Sequence, residues 1–191
     1  MKKYILLFAI IAIASVNANA QRHLAGQRGI QLSGGLADEL SFKNVDGAAF
    51  WGNISLSQYN KKGNKWVFGG EYFHKKYDYE KKMIPVEQYT LEGGYYLNFL
   101  SDARKMFFFS LGGSALGGYE TLNHGKMMLH DGAILTGKDG FIYGGALTFD
   151  VEVFITNTVI FLINARERAM FGSNIGKFHF QTGIGLKVIL N

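Results

Sequence analysis

The chain has 191 residues, of which 48% are hydrophobic and 15% aromatic, with 25 Gly, one Pro, no Cys and a formal net charge of +5. That length fits one domain. The lack of Cys excludes a disulfide scaffold, a thiolate zinc site, a cysteine nucleophile and a lipoprotein anchor, while the weak positive balance does not by itself point to nucleic acid.

The first segment is a targeting signal and not part of a fold. Lys2 and Lys3 precede an apolar run from Tyr4 to Ala14, and Ala18-Asn19-Ala20 supplies small residues before a cut. The run is too short to span a bilayer as a helix, and the three parts together read as a cleaved signal peptide over 1–20, leaving 21–191 as a single domain. Glycine, at nearly twice its average usage, comes without a collagen period and alongside Phe, Tyr, Ile, Val and Thr, which is strand chemistry.

Downstream of the signal, a period of two marks about eight segments, near 27–36, 47–59, 65–75, 86–99, 106–120, 141–155, 158–168 and 177–190. In the fourth, Tyr89, Leu91, Tyr95, Leu97 and Phe99 alternate with a polar face carrying Gln88, Thr90 and Glu92. The fifth sets Phe107, Phe109, Leu111, Ala115 and Tyr119 against Ser110, Gly112, Ser114, Gly118 and Glu120. In the sixth, Tyr143, Leu147, Phe149, Val151 and Val153 oppose Ala146, Thr148, Asp150 and Glu152. The last opposes Phe178, Phe180, Ile184, Leu186, Val188 and Leu190 to His179, Gln181 and Lys187. Arg166-Glu167-Arg168 reads as a strand end running into a loop, and Pro85 as the entry from a loop into a strand.

The connections alternate short and long. Short ones fall at Asn60 to Asn64, Leu100 to Lys105 and Thr156 to Asn157, and long ones at Ala37 to Asp46, Lys76 to Pro85, Thr121 to Gly140 and Ala169 to Gly176. An even number of antiparallel strands with both ends on the short-turn side is the layout of an outer-membrane up-and-down β-barrel. A barrel of eight strands is just wide enough for side chains to fill it. The polar faces then form a structural lumen network of Glu71, Glu92, Asp150, Glu152, Arg166 and Lys187, with Asn164 and His179 on the same face. The apolar faces meet lipid, and Trp51, Tyr59, Trp66, Tyr72, Tyr89 and Tyr119 are expected in interfacial girdles. A secreted soluble barrel or sandwich is the competing reading, and the ending Val188-Ile189-Leu190-Asn191, without a terminal aromatic, counts in its favour.

Several stretches invite chemistry and are better read as structure. The five histidines contain no metal-ligand spacing, so no metal or cofactor is implied. His124, His130 and Asp131 share the longest loop and are the only candidates for an enzymatic rim; a polar surface loop is the simpler reading. The basic and aromatic stretch His74 to Lys82 is interrupted by Asp78 and Glu80, and reads as an outside loop facing solvent or lipopolysaccharide, without direct nucleic-acid binding. The pairs Gly112-Gly113 and Gly117-Gly118 lack the Lys-Ser or helix start of a phosphate loop.

One ordered set of short runs carries a family resemblance. It comprises Ile84-Pro85-Val86-Glu87-Gln88-Tyr89-Thr90-Leu91-Glu92-Gly93-Gly94-Tyr95, Ser101-Asp102-Ala103-Arg104-Lys105, Gly118-Tyr119-Glu120-Thr121-Leu122-Asn123, Asp139-Gly140-Phe141-Ile142-Tyr143-Gly144 and Gly183-Ile184-Gly185-Leu186, with Ala20-Gln21-Arg22 and Gly26-Gln27-Arg28-Gly29 near the start. In these the chain resembles the TraO proteins of Bacteroides-type conjugative transposons. The resemblance implies a non-enzymatic envelope component of a mating apparatus, with other proteins of that apparatus and outer-membrane lipid as partners. It supplies no catalytic or ligand-binding residues. A stand-alone small barrel, acting as an adhesin or envelope stabiliser, is the alternative.

Overall fold

The computed structural model describes residues 24–38, 49–79, 82–125, 137 and 139–190. The expected signal peptide, His23, His130 and Asp131 lie outside them. Eight strands follow one another: β1 (Arg28–Ala37), β2 (Ala49–Tyr59), β3 (Lys65–Tyr79), β4 (Lys82–Ser101), β5 (Phe107–Leu122), β6 (Gly140–Phe154), β7 (Val159–Phe171) and β8 (Phe178–Leu190). Each pairs antiparallel with its sequence neighbour, and β1 closes on β8, with Arg28 opposite Leu190 and Ala37 opposite Gln181. Closure leaves no free strand edge within the ring, so backbone hydrogen bonding there is satisfied inside the wall.

The alternation read from the sequence separates two surfaces. Outward residues include Leu32, Leu91, Phe141 and Phe178, which are 65–73% exposed, whereas the inward Arg168, Gln181 and Lys187 are fully buried. A soluble barrel has the opposite polarity, with its apolar residues inside. Aromatic contacts gather on the outer face in two bands. Towards the long connections, Phe50, Tyr72 and Tyr89 adjoin one another, as do Phe141, Tyr143 and Phe171. Towards the short turns, Trp66 meets Tyr95, and Phe149 lies between Phe99 and Phe109.

Two girdle expectations fail. Trp51 and Tyr59 point into the barrel, 5% and 0% exposed, because they share the parity of Asn53, Ser55 and Ser57 on β2 while Phe50, Ile54 and Leu56 take the outer face. Trp66, Tyr89 and Tyr119 are exposed on the outside, and Tyr72 is half-buried there among its aromatic neighbours.

Two loop boundaries also move. Lys76 to Pro85 was expected to be a long connection, but β3 and β4 stay paired from Lys75 opposite Val86 to Tyr79 opposite Lys82. The alternating aromatic and charged residues suit an extended two-stranded arm, and Pro85 sits inside β4, where only its missing N–H matters. Similarly, Arg166 and Arg168 do not end a strand: β7 continues to Phe171, and both guanidiniums are buried.

Tight curvature demands glycine at particular wall positions. A Cβ on Gly118 would stand 2.0 Å from the Tyr89 carbonyl oxygen, and one on Gly144 2.0 Å from that of Ala169. The short turns are fixed locally. Asp102 Oδ1 accepts hydrogen bonds from the backbone N–H groups of Met106 (2.6 Å) and Phe107 (2.8 Å), and Thr156 Oγ1 accepts from those of Thr158 and Val159.

Candidate functional site: a layered polar lumen and its rim

At the short-turn end the barrel is filled by Tyr59, Phe108, Phe154, Ile160, Leu162 and Ile189, all 0–3% exposed. Above this layer stand two lysines and two carboxylates. Lys65 Nζ, from β3, donates to Asp150 Oδ2 (2.5 Å) and Glu152 Oε1 (2.6 Å), both from β6. Lys187, from β8, donates to Glu152 and to the Tyr59 hydroxyl (2.9 Å), which itself donates to Glu152 Oε1 at 2.8 Å. Two cations thus face two anions, and the group is charge-neutral.

The next layer repeats the stoichiometry with arginines. Arg166 Nη1 donates to Glu71 Oε2 at 2.9 Å, and its Nη2 donates to Glu92. Arg168 Nη1 reaches Glu71 Oε1 at 2.7 Å, and its Nη2 reaches Gln88 Oε1 at 3.2 Å. Asn53 donates to Glu92, and Gln181 to Glu71. Guanidinium groups at neighbouring inward positions of β7 so share the Glu71 carboxylate, a use of their several donors that lysine could not reproduce. Between the two layers lies a cavity of about 20 Å³ bordered by Asn53, Thr148, Asn164 and Arg166. Its size and polar lining suit a single water.

Nearer the long connections, Glu120 has no cationic partner among the described residues and is held by neutral donors. It accepts from Gln88 Nε2 (2.7 Å), Ser173 Oγ (2.6 Å) and both the backbone N–H and Nδ2 of Asn174 (2.8 Å each). These contacts fold the β7–β8 connection over the lumen. At the rim, beyond the aromatic band, Asp38 accepts from Lys75 Nζ at 2.6 Å and lies 2.9 Å from His179 Nδ1. Burial pushes the Asp38 carboxyl up, but the hydrogen bonds and charges of His179 and Lys75 outweigh it and hold it below the usual carboxylate value. Burial pushes the Lys75 ammonium down, and Asp38 more than reverses this, leaving it raised.

A second cluster sits on the outer face at the foot of the longest connection. The Tyr72 hydroxyl donates to Glu87 Oε1 (2.7 Å), His124 Nδ1 lies 3.2 Å from Glu87 Oε2, and His74 Nδ1 lies 3.8 Å from Oε1. The other foot is tied by Asp139, which accepts from the Leu122 backbone N–H and the Thr121 hydroxyl. His124 therefore meets Glu87, which also faces His74, and its expected association with His130 and Asp131 falls outside the described residues.

All six residues named from the sequence as lumen groups point inward, in two layers: Asp150, Glu152 and Lys187 in one, Glu71, Glu92 and Arg166 in the other. Sequence reading missed Lys65 and Arg168, and it placed Gln88 and Glu120 on the polar faces without including them in the network. Parity was a sufficient signal for each, since Lys65 and Glu71 share a face of β3, Gln88 and Glu92 one of β4, and Arg166 and Arg168 one of β7.

A closed eight-stranded antiparallel barrel with a polar, side-chain-filled interior and an apolar exterior defines the class of small barrels of outer-membrane type. Within that class, the sequence profile of the family described as conjugative transposon protein TraO matches residues 24–190, and the chain belongs to the TraO family. No curated protein sequence matches it. Among solved structures, Neisserial surface protein A aligns with a TM-score of 0.57 at 14% identity, over 84% of this chain and 96% of that one. The Yersinia pestis attachment invasion locus protein Ail, in complex with the heparin analogue sucrose octasulfate, aligns with a TM-score of 0.49 at 8% identity, over 87% and 100%. The N-terminal β-barrel domain of Pseudomonas aeruginosa OprF gives 0.47 at 10%, over 86% and 99%. Neisserial surface protein A shares the fold, and at this identity the likeness extends no further.

Proposed function

We propose that this chain is a non-enzymatic outer-membrane component of a conjugative transposon's mating apparatus, exported through a signal peptide over 1–20 and folded as one barrel over 21–191. The observation that carries the proposal is the polarity of the barrel, apolar outside and ionic inside, in a member of the TraO family. Such a wall is stable in lipid, where the outer Phe, Leu and Tyr side chains need no polar partner and the ion pairs inside are shielded from it.

In this reading the lumen groups Glu71, Glu92, Asp150, Glu152, Arg166 and Lys187 are structural. They hold β3, β4, β6, β7 and β8 in mutual position across the barrel and fill the space a solute would need. DNA does not pass through this barrel, and the chain acts by contact with other envelope proteins of the apparatus. The contact surfaces are the long connections, above all 121–140, and the short turns, including Ser101 to Lys105.

The test is fractionation of donor cells and gel electrophoresis of heated and unheated outer membrane, scored beside the mating frequency of a deletion strain. A heat-shifted outer-membrane band together with lost transfer supports the proposal. A soluble periplasmic protein refutes the membrane barrel. An outer-membrane barrel with normal transfer on deletion points instead to a stand-alone adhesin or envelope stabiliser.

A further inference from the structure

The outer wall between the two aromatic bands carries one charged side chain among the described residues, Glu167. It lies on β7 between the buried, inward-pointing Arg166 and Arg168, and is itself exposed. Directly across on β6 is Leu147, four residues from Tyr143 of one aromatic band and two from Phe149 of the other, and directly across on β8 is Phe180. Glu167 therefore stands between the two bands. No described residue pairs with it, and the guanidiniums beside it in sequence are on the opposite face of the wall, matched to Glu71, Glu92 and Gln88.

Along β7 its outward neighbours are small. Ala165 and Ala169 flank it, Gly145 is opposite Ala169 on β6 and Thr182 opposite Ala165 on β8, while Phe149 is opposite Ala165 on β6 and Phe178 opposite Ala169 on β8. A partner's side chains can come close to the wall along this stretch of β7, between the bulky Leu147 and Phe149 on one side and Phe178 and Phe180 on the other. An ionisable group facing the bilayer interior is costly unless another group meets it, and by default it marks a functional contact.

Resting on the reading of the chain as an outer-membrane part of the transfer apparatus, we propose that Glu167 and the small residues around it form a lateral docking face. It takes a membrane-embedded segment of another envelope protein that presents a Lys or Arg at this depth. Charge complementarity selects this occupant over a second copy. A two-fold contact would set Glu167 against Glu167, and a head-to-tail contact would need an outward cation between the aromatic bands, which no described residue of this chain supplies.

The experiment compares Glu167→Leu, Glu167→Lys and Glu167→Asp in donor cells, with Gly52→Leu as the control on β2, where an added Cβ meets nothing within 4 Å. The folded, heat-shifted band in the outer membrane is measured first. The expected result is an unchanged folded amount in all four, a loss of transfer of about tenfold or more for Leu and Lys, and near-normal transfer for Asp and the control. A photo-crosslinking residue in place of Ala165 or Ala169 is expected to capture an envelope protein at a segment holding a Lys or Arg. The Glu167→Lys change should abolish that product, and an acid in place of the partner's cation should restore it. Normal transfer by folded Leu and Lys variants, capture of a second copy, or capture of lipid alone overturns the inference. If the deletion strain itself transfers normally, the role in transfer fails, and the crosslink with its charge exchange still decides the docking face.

Discussion

Arg166 and Glu71, brought together from β7 and β3, meet across the lumen at 2.9 Å with both side chains no more than 6% exposed. Glu71 also accepts from Arg168 and Gln181, so one carboxylate joins three groups on two strands on the far side of the barrel. Its removal leaves two guanidiniums short of an anion in a water-poor space. Glu71→Gln is expected to destabilise the barrel by roughly 3–5 kcal/mol, the usual cost of breaking a buried pair from one side. The check is the urea or temperature midpoint at which the folded gel band disappears. A loss smaller than that of an exposed outer-face substitution such as Gln58→Ala would refute the bracing role.

Wall curvature makes a different demand, which two glycines on one strand separate. A Cβ at Gly118 would be 2.0 Å from a carbonyl oxygen, whereas one at Gly113 would meet nothing within 4 Å. Gly118→Ala is expected to lower the midpoint markedly, because backbone of the neighbouring strand must move. Gly113→Ala should leave it unchanged or raise it slightly, through the lower chain entropy of the unfolded state. Equal midpoints for the two variants would show that β5 is not held in this close register.

The rim cluster sets a pH window. Asp38 has a folded value below its unfolded one, so its contribution is complete above the ordinary carboxylate value of about 3.9 and is lost as pH falls through the lower folded value. Lys75 is shifted up, so its contribution is complete below the ordinary lysine value of about 10.4 and is lost as pH rises through the raised one. Protection of the rim against proteolysis at the end of β1 is expected to fall below the acid limit and above the alkaline one. Asp38→Asn should flatten the acid limb. An unchanged acid limb in that variant would assign the titration to another group.

How much of this was legible beforehand can be judged from particular residues. Period-two alternation is a local property of each strand, so Leu91 outside and Glu92 inside could be read directly. Trp51 and Tyr59 went wrong because residue type was given more weight than parity: they share a face with Asn53, Ser55 and Ser57, and in a narrow barrel that face is inward. The β3–β4 arm was missed because its charged and aromatic residues resemble a loop, although Tyr79 still pairs with Lys82.

Partner identity within the lumen had no local signal. Lys187 and Glu152 are far apart in sequence and on strands that are not neighbours, as are Arg166 and Glu92. The sequence alone determined the strand number, the polarity of each face and the side of the wall on which each charge stands, because these follow from the two-residue repeat of an extended chain. Only the tertiary structure decided which acid meets which base and that Glu167 stands unpaired among apolar neighbours. Those facts depend on the register with which β1 closes on β8 and on the width of the ring so formed, and no single strand encodes either.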